Sequence, residues 1–175
     1  MRVPFIAFLS ALLILVTDFA FVQAGVVPLT TDQRWGLNIQ NMGRSSKKLK
    51  PLVWDPKLAQ DAAAYAKVLA RTQKLQHSGV GGENLFYESR GSAPFSDAAK
   101  AWMAEKPLYH NEIIPQGNFA AYGHYSKPAF PCSATQCMWK STTKVGMGAY
   151  KDSKGGIWVV ARYAAAGNMV GQRPY

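Results

Sequence analysis

The sequence predicts an α+β fold, a three-layer α-β-α sandwich in which helices come first and strands last. Two helical patterns occupy the middle of the chain, and two short runs rich in aromatic and β-branched residues follow, VGMGAY (145–150) and IWVVARY (157–163). The KDSKGG segment between these runs has the composition of a turn, so the two strands should form a hairpin. A sheet built on this hairpin would be covered by helices.

The first helix in the middle of the chain is predicted to begin at Asp55–Pro56, a carboxylate cap followed by proline at the first helical position. Apolar or small residues then recur on one face: Leu58, Ala62, Tyr65, Ala66 and Leu69. The pattern continues to about Leu75 and places His77 just beyond the helix end. Upstream, the basic stretch 43–50 is interpreted as a loop between helices.

The next helix is predicted to begin at Ser96–Asp97 and to run to Lys106, where Pro107 stops it. Trp102 and Glu105 are three residues apart and therefore share a helix face. This spacing directs Glu105 toward the rim of the core.

The N-terminus has the pattern of a secretory signal peptide. Arg2 precedes a nearly continuous apolar run at 4–16, and Val22–Ala24 places small residues at a cleavage site. The apolar run is shorter than the ~20 residues that a membrane-spanning helix needs, so a membrane anchor is the weaker alternative. We therefore predict a signal peptide at 1–24, a single domain at 25–175, and a secreted, extracellular protein.

The chain is strongly basic, with 20 Lys and Arg against 10 Asp and Glu and a net charge of +10. An extracellular protein with this charge is expected to adhere to anionic wall polysaccharides or a membrane surface, although the charge could also serve solubility alone. Nucleic acid is not expected as a partner, because the basic residues are scattered and no basic stripe is interleaved with aromatics. We expect a monomer.

Several sequence blocks occur in the order of one extracellular superfamily. They are PLVWDPKLAQDAAAYA (51–66), HSG (77–79), GENLF (82–86), Trp102 followed by Glu105, GHYS (123–126), TQCMWKSTTKVGMG (135–148) and IWVVARYAAAGNMVGQRPY (157–175). Together they resemble the CAP superfamily of cysteine-rich secretory proteins, antigen 5 and plant pathogenesis-related class-one proteins. The resemblance implies the α-β-α sandwich of the CAP domain, and the chain looks most like a secreted fungal pathogenesis-related-like member.

The resemblance implies a polar cavity formed by His77, Glu83, Glu105 and His124. Two imidazoles and two carboxylates would suit zinc or another divalent metal. The spacing alone is a weak signal, since the chain has no HExxH motif. The alternative is a hydrogen-bonded polar cluster that holds helices and a strand together.

The region between His124 and Trp139 departs from the family pattern. More residues separate them than in related sequences, and the surplus corresponds to SKPAFPCSA (126–134). We expect a surface loop that leaves His124 in place and Trp139 buried. A shifted strand or an error in the gene model are the alternatives.

The chain contains two cysteines, Cys132 and Cys137. They lie close together in sequence, and the signal peptide indicates an oxidising compartment, so a local disulfide between them is predicted. The cysteine that the family places before N-Y is replaced here by Ala161.

The segment LYHNEIIPQGNFAAY (108–122) corresponds to a loop that is associated with sterol in related proteins. Its apolar and aromatic residues form the predicted lipid-binding set: Tyr109, Ile113, Ile114, Phe119 and Tyr122. The resemblance implies a small lipid, a sterol or fatty acid, as partner. The alternative is that these side chains pack the loop onto the sandwich.

Binding is therefore the favoured class of function, in a host-interaction or defence-related role. The alternative is a divalent-metal-dependent hydrolase that uses the His/Glu cavity. Ser78 adjoins His77, but no G-x-S-x-G motif occurs, and we do not expect an enzyme. The last eleven residues also resemble a peptide that plant relatives release as a defence signal, although a packed C-terminal tail is the plainer interpretation.

Overall fold

The computed structural model describes residues 28–116 and 133–175. In chain order the described elements are α1 (Thr31–Ser45), β1 (Val53–Trp54), α2 (Pro56–Thr72), β2 (Glu83–Glu88), α3 (Pro94–Ala104), a 3₁₀ turn (Lys106–Leu108), α4 (Ser133–Cys137), β3 (Lys144–Lys151) and β4 (Ile157–Ala164). The predicted signal peptide lies outside the described ranges. Within them, no helix combines the length and the apolar character that crossing a bilayer requires.

The strands form one four-stranded sheet in the order β1-β3-β4-β2. The predicted hairpin is confirmed, because β3 and β4 pair antiparallel from Lys144↔Ala164 to Lys151↔Ile157. β2 pairs antiparallel with β4, and the two-residue β1 pairs parallel with β3. β1 and β2 were not predicted as strands, since each is short and lies inside a block whose motif was the stronger signal.

Helices cover both faces of the sheet, which confirms the α-β-α sandwich. Alternate residues of β4 point to opposite faces. Trp158 and Val160 pack in the cluster that contains the small residues of α2, whereas Val159 and Ala161 pack in the cluster that contains Trp102 of α3. α1 lies against α3 in the second layer.

Two glycines of β3 allow α2 to approach the sheet closely. A Cβ atom at Gly146 would lie 2.1 Å from the backbone nitrogen of Ala59, and one at Gly148 would lie 2.1 Å from that of Ala63. Any side chain at these positions would therefore push α2 off the sheet. The close packing fixes the position of α2 on the sheet, and the candidate site lies beyond the C-terminal end of this helix.

α1 extends into the stretch that we predicted to be a loop, so that prediction is wrong for residues 43–45. The helix begins with a capping box between Thr30 and Gln33 and continues to Ser45. Arg44 is fully buried in its last turn. Its guanidinium donates hydrogen bonds to the carbonyl oxygens of residues distant in sequence or beyond the helix: Lys50, Cys137, Trp139 and Thr142, at 2.7–2.9 Å.

α2 begins as predicted, with the Asp55 carboxylate accepting from the backbone N–H groups of Lys57 and Leu58. It ends at Thr72, before the predicted Leu75, because Gln73 adopts a left-handed conformation with φ of 54°. α3 begins at Pro94, earlier than predicted. The backbone N–H groups of Phe95 and Ser96, in its first turn, donate to the carboxylate of Asp32. Because Asp32 belongs to α1, the N-terminal cap of α3 is supplied by another helix.

Candidate binding site around His77 and Glu83

The segment that follows α2 brings His77 against Glu83, the first residue of β2. Nδ1 of His77 lies 2.7 Å from Oε1 of Glu83. The same oxygen accepts from the backbone N–H of Ser78 at 2.9 Å, and Oε2 accepts from the Ser78 hydroxyl at 2.9 Å. The Glu83 side chain is 1% exposed, so its carboxylate is held inside the protein by these neighbours.

Arg162 completes the cluster from β4, where it is paired directly with Glu83 across the two strands. Its Nη2 lies 3.0 Å from Oε2 of Glu83, and its Nη1 donates to the Ser78 hydroxyl at 3.0 Å. The guanidinium also lies over the ring of Tyr65, 5.3 Å from the centroid. Arg162 was not predicted as a site residue, because only the pairing of β2 with β4 brings it next to Glu83.

The surroundings of Glu83 favour its ionised form. Burial alone raises the pKa of this carboxyl group, but the hydrogen bonds from His77 and Ser78 and the charge of Arg162 outweigh burial and leave the pKa below its ordinary value. An ionised Glu83 is an acceptor, so Nδ1 of His77 is the donor in their hydrogen bond. Nε2 is then the nitrogen of His77 that remains available to bind a ligand.

The predicted metal tetrad is brought together only in part. His77 and Glu83 are adjacent, whereas Glu105 lies buried at the C-cap of α3 and accepts from the backbone N–H of Ala134 at 3.3 Å. His124 lies outside the described residues. Across 28–116 and 133–175, no three His, Cys, Asp or Glu side chains cluster closely enough to hold a metal ion.

Glu83 does not fit the role of a direct metal ligand. Both of its oxygens already accept hydrogen bonds, and the permanent charge of Arg162 lies beside one of them. The geometry instead fits a carboxylate that orients an imidazole whose other nitrogen could bind a metal. Among the described members of the tetrad, His77 is thus the one that has an atom, Nε2, available to bind a metal ion.

A groove of about 570 Å³ opens beside the cluster, between the end of α2 and the segment that follows it. Its lining is partly apolar and partly polar: Tyr65, Val68, Leu69, Thr72, Lys74, Gln76, His77 and Ser78. The Tyr65 hydroxyl donates to the carbonyl of Gln76 at 2.7 Å and so ties the helix to the opposite side of the groove. This groove was not predicted from the sequence, because its walls meet only after the chain turns at Gln73.

The described part of the predicted lipid segment is largely packed into the protein. Tyr109 and Ile114 are 7% and 1% exposed and form a buried cluster with Trp139. Ile113 is half-buried, and Phe119 and Tyr122 lie outside the described residues. For Tyr109 and Ile114 the geometry therefore matches the alternative interpretation, in which these residues pack the loop onto the sandwich.

Residues around the predicted insertion are seen from Ser133 onward. Ser133 begins α4, Ala134 is buried, and Trp139 is 3% exposed, so the prediction of a buried Trp139 is confirmed. The rest of the predicted insertion lies outside the described residues.

Cys137 is a free, buried thiol in the part of the chain that the structure describes; Cys132 lies outside the described residues, so the predicted disulfide between them stays a prediction. Its sulfur lies 3.2 Å from the Tyr163 hydroxyl and 3.4 Å from Nδ2 of Asn84. Burial raises the pKa of the thiol to about 12. The side chain points into the core because α4 packs on the sheet, and the sequence spacing of the cysteines carried no information on that direction.

Among the described residues, the cluster does not have the arrangement of a serine hydrolase. The Ser78 hydroxyl donates to Glu83 and accepts from Arg162, and its hydrogen bonds do not include His77. A serine nucleophile needs a base within hydrogen-bond reach to take its proton. Ser78 is therefore placed to hold the Glu83 carboxylate.

The C-terminal residues are hydrogen-bonded to the rest of the domain. The backbone N–H of Gly167 donates to Oε1 of Gln136 at 2.7 Å, and the carbonyl of Pro174 accepts from the N–H of Lys140 at 2.7 Å. This matches the interpretation of a packed tail.

A four-stranded sheet between α2 and the α1/α3 layer, with a His–Glu pair at the edge of β2, defines a CAP-type domain. The family model described as "CAP: Cysteine-rich secretory protein family" matches residues 37–163. The chain belongs to this family.

Curated relatives include plant pathogenesis-related proteins. The chain is 38% identical to "Pathogenesis-related protein PR-1" of Medicago truncatula, over 78% of this chain and 75% of the relative. It is 35% identical to "Pathogenesis-related protein 1B" of Nicotiana tabacum, over 79% of this chain and 78% of the relative. These similarities support the pathogenesis-related character, whereas the fungal placement stays a prediction.

Solved structures show the same fold. "Crystal structure of NaASP2 with Zn2+" superposes with a TM-score of 0.67 at 24% identity, covering 84% of this chain and 86% of that one. "Crystal Structure of Hookworm Platelet Inhibitor" superposes with a TM-score of 0.62 at 18% identity, covering 86% and 79%.

Proposed function

We propose that this chain is a secreted, defence-related CAP protein that acts by binding a small lipid, a sterol or fatty acid, and that it is not an enzyme. The observation that carries the proposal is the groove beside His77. Its volume of about 570 Å³ falls within the ~300–1,000 Å³ typical of small-molecule sites. The similarity to plant pathogenesis-related proteins supports the defence-related role.

The composition of the groove suits an amphipathic ligand. α2 contributes Val68 and Leu69, and Val68 is 45% exposed. Covering exposed apolar surface gains about 25 cal/mol per Å². His77 and Lys74 lie on the other side and can bind a hydroxyl or carboxylate group of the ligand. We therefore propose the groove as the lipid site, since Tyr109 and Ile114 of the predicted segment are already covered by protein.

The polar cluster favours binding over catalysis. His77, Ser78 and Arg162 hold Glu83, so both oxygens of its carboxylate already accept hydrogen bonds from the protein itself. A general base needs to reach a proton of the substrate. The Glu83 carboxylate instead holds His77 in one orientation at the edge of the groove.

A metal ion is a second proposed ligand of the same region. The bond from Nδ1 of His77 to Glu83 leaves Nε2 as a metal-binding atom, and His124 would supply a second imidazole, as the family resemblance implies. The related NaASP2 structure is one with Zn²⁺, which supports zinc as the first ion to test.

Equilibrium binding of a fluorescent sterol and a fluorescent fatty acid tests the lipid proposal. Val68→Asp places a charge in the groove and should weaken binding of the probe that the wild type binds. Ala64→Asp is the matched control, since Ala64 is exposed on the same helix and does not line the groove. Failure of the wild type to bind either probe, or equal binding by Val68→Asp, would overturn the proposal.

A further inference from the structure

We infer that the end of α2 and the β3–β4 turn form a cationic face that docks onto an anionic lipid bilayer. The cationic face comprises four exposed side chains: Lys67, Arg71, Lys74 and Lys154. The docking is independent of the lipid-binding groove proposed above, although the two share one surface.

Contacts between α2 and the hairpin place these cations on the same side of the molecule. Nζ of Lys67 lies over the ring of Tyr150, 5.8 Å from its centroid. Nε2 of Gln73, which follows α2, donates to Oδ2 of Asp152 in the turn at 2.9 Å. The two segments therefore form one continuous surface.

The charge of this face is not neutralised by neighbouring carboxylates. Among the residues that the structure describes, none forms an ion pair with any of the four cations. Asp152 is the one acidic residue in the stretches 67–75 and 150–156, so the four cations of the face and this one carboxylate leave an excess of three positive charges.

Asp152 is directed into the turn. Its Oδ1 accepts from the N–H groups of Lys154 and Gly156, and its Oδ2 accepts from Gln73 and from the indole of Trp158. These bonds, that of Gln73 foremost, hold its pKa well below the ordinary value. The Asp152 carboxylate is therefore used within the turn, and the surrounding lysines are available to bind an external anion.

Exposed apolar side chains among the cations favour a bilayer over an acidic polysaccharide. Val68, Leu75 and Tyr150 are 45%, 43% and 39% exposed. Each cation is attracted to the negative potential of an anionic membrane surface. Aliphatic and tyrosine side chains enter the interfacial region, an environment that a hydrated polysaccharide does not offer.

The groove lies at this face, since Val68 and Lys74 belong to its lining. Docking would bring the groove to the bilayer surface, where a lipid could pass between membrane and protein. This last step alone depends on the proposed lipid binding.

Sedimentation of the purified protein with vesicles tests the docking. Binding is expected to phosphatidylcholine vesicles that contain phosphatidylserine, to be absent with phosphatidylcholine alone, and to fall with added salt. Arg71→Glu combined with Lys154→Glu should weaken binding at least about tenfold. Neither residue lines the groove, so binding of soluble lipid probes should be retained, and the two proposals can fail separately.

The matched control is Lys50→Glu combined with Lys140→Glu, which makes the same change in net charge at exposed sites outside the face. Thermal unfolding of both variants verifies that they are folded. The inference would be overturned by equal losses in the two double variants, by equal binding to neutral vesicles, or by binding to polygalacturonate without binding to vesicles.

Discussion

Glu83 and Arg162 are directly paired across β2 and β4, and Oε2 and Nη2 lie 3.0 Å apart. Their side chains are 1% and 10% exposed, so the pair is a buried salt bridge. Breaking such a pair is costly because the remaining charge stays in a poorly solvated site, whereas replacing both partners can cost little. The pair also holds the carboxylate that orients His77.

The first prediction is that Glu83→Gln lowers the free energy of unfolding by about 3–5 kcal/mol at neutral pH, because Arg162 is left as an unpaired buried cation. Urea denaturation measures the change. The double variant Glu83→Gln with Arg162→Met should lose less than the sum of the single variants. A loss below about 1 kcal/mol in Glu83→Gln would mean that the pair behaves like an exposed one.

The second prediction concerns the acid side of the stability curve. The pKa of Glu83 is lower in the folded protein than in the unfolded chain, so the folded state binds fewer protons there. Its contribution is fully present above the unfolded pKa of ~4.3 and is lost as the pH falls toward the folded pKa. Between about pH 5 and pH 3, unfolding free energy should fall less steeply in Glu83→Gln than in the wild type. Parallel slopes would contradict the assignment.

Arg44 supports the third prediction. Its guanidinium donates hydrogen bonds to four carbonyl groups, including that of Cys137 at the end of α4 and that of Thr142 just before β3. Arg44→Ala should cost at least about 3 kcal/mol, since buried acceptors lose their donors and a cavity forms. Arg71→Ala, on the exposed face of α2, should change stability by no more than about 0.5 kcal/mol. Equal losses in the two variants would show that the Arg44 network is not formed.

Local patterns predicted the hairpin and the start of α2, because these depend on residues that are neighbours in the chain. Asp55 caps its own helix, and the KDSKGG turn joins adjacent strands. Arg44, Asp32 and Arg162 were missed as structural or site residues because their partners lie far away in sequence. For the candidate site, the family motif identified His77 and Glu83, but only the pairing of β2 with β4 reveals the cation beside them.

The fourth prediction tests the state of Cys137. A buried thiol with a pKa raised to about 12 should not react with an alkylating reagent at neutral pH while the protein is folded. In denaturant without reductant, alkylation should modify Cys137, as peptide mass spectrometry would detect. Modification only after reduction would show that the disulfide with Cys132 forms.

The last prediction concerns zinc and His77. Calorimetric titration should detect zinc binding by the wild type and its loss in His77→Ala, because Nε2 is the open nitrogen of an imidazole that Glu83 holds in place. His110→Ala is the matched control, since His110 is exposed and lies outside the cluster. Glu83→Gln should weaken zinc binding by about 10- to 100-fold without abolishing it, as expected for a group that orients a ligand.

Acidification should also weaken zinc binding, because protons compete with the metal for imidazole nitrogen. Complete loss in Glu83→Gln with an intact fold would instead make Glu83 a direct ligand, and equal binding by His77→Ala and the wild type would remove zinc from this site.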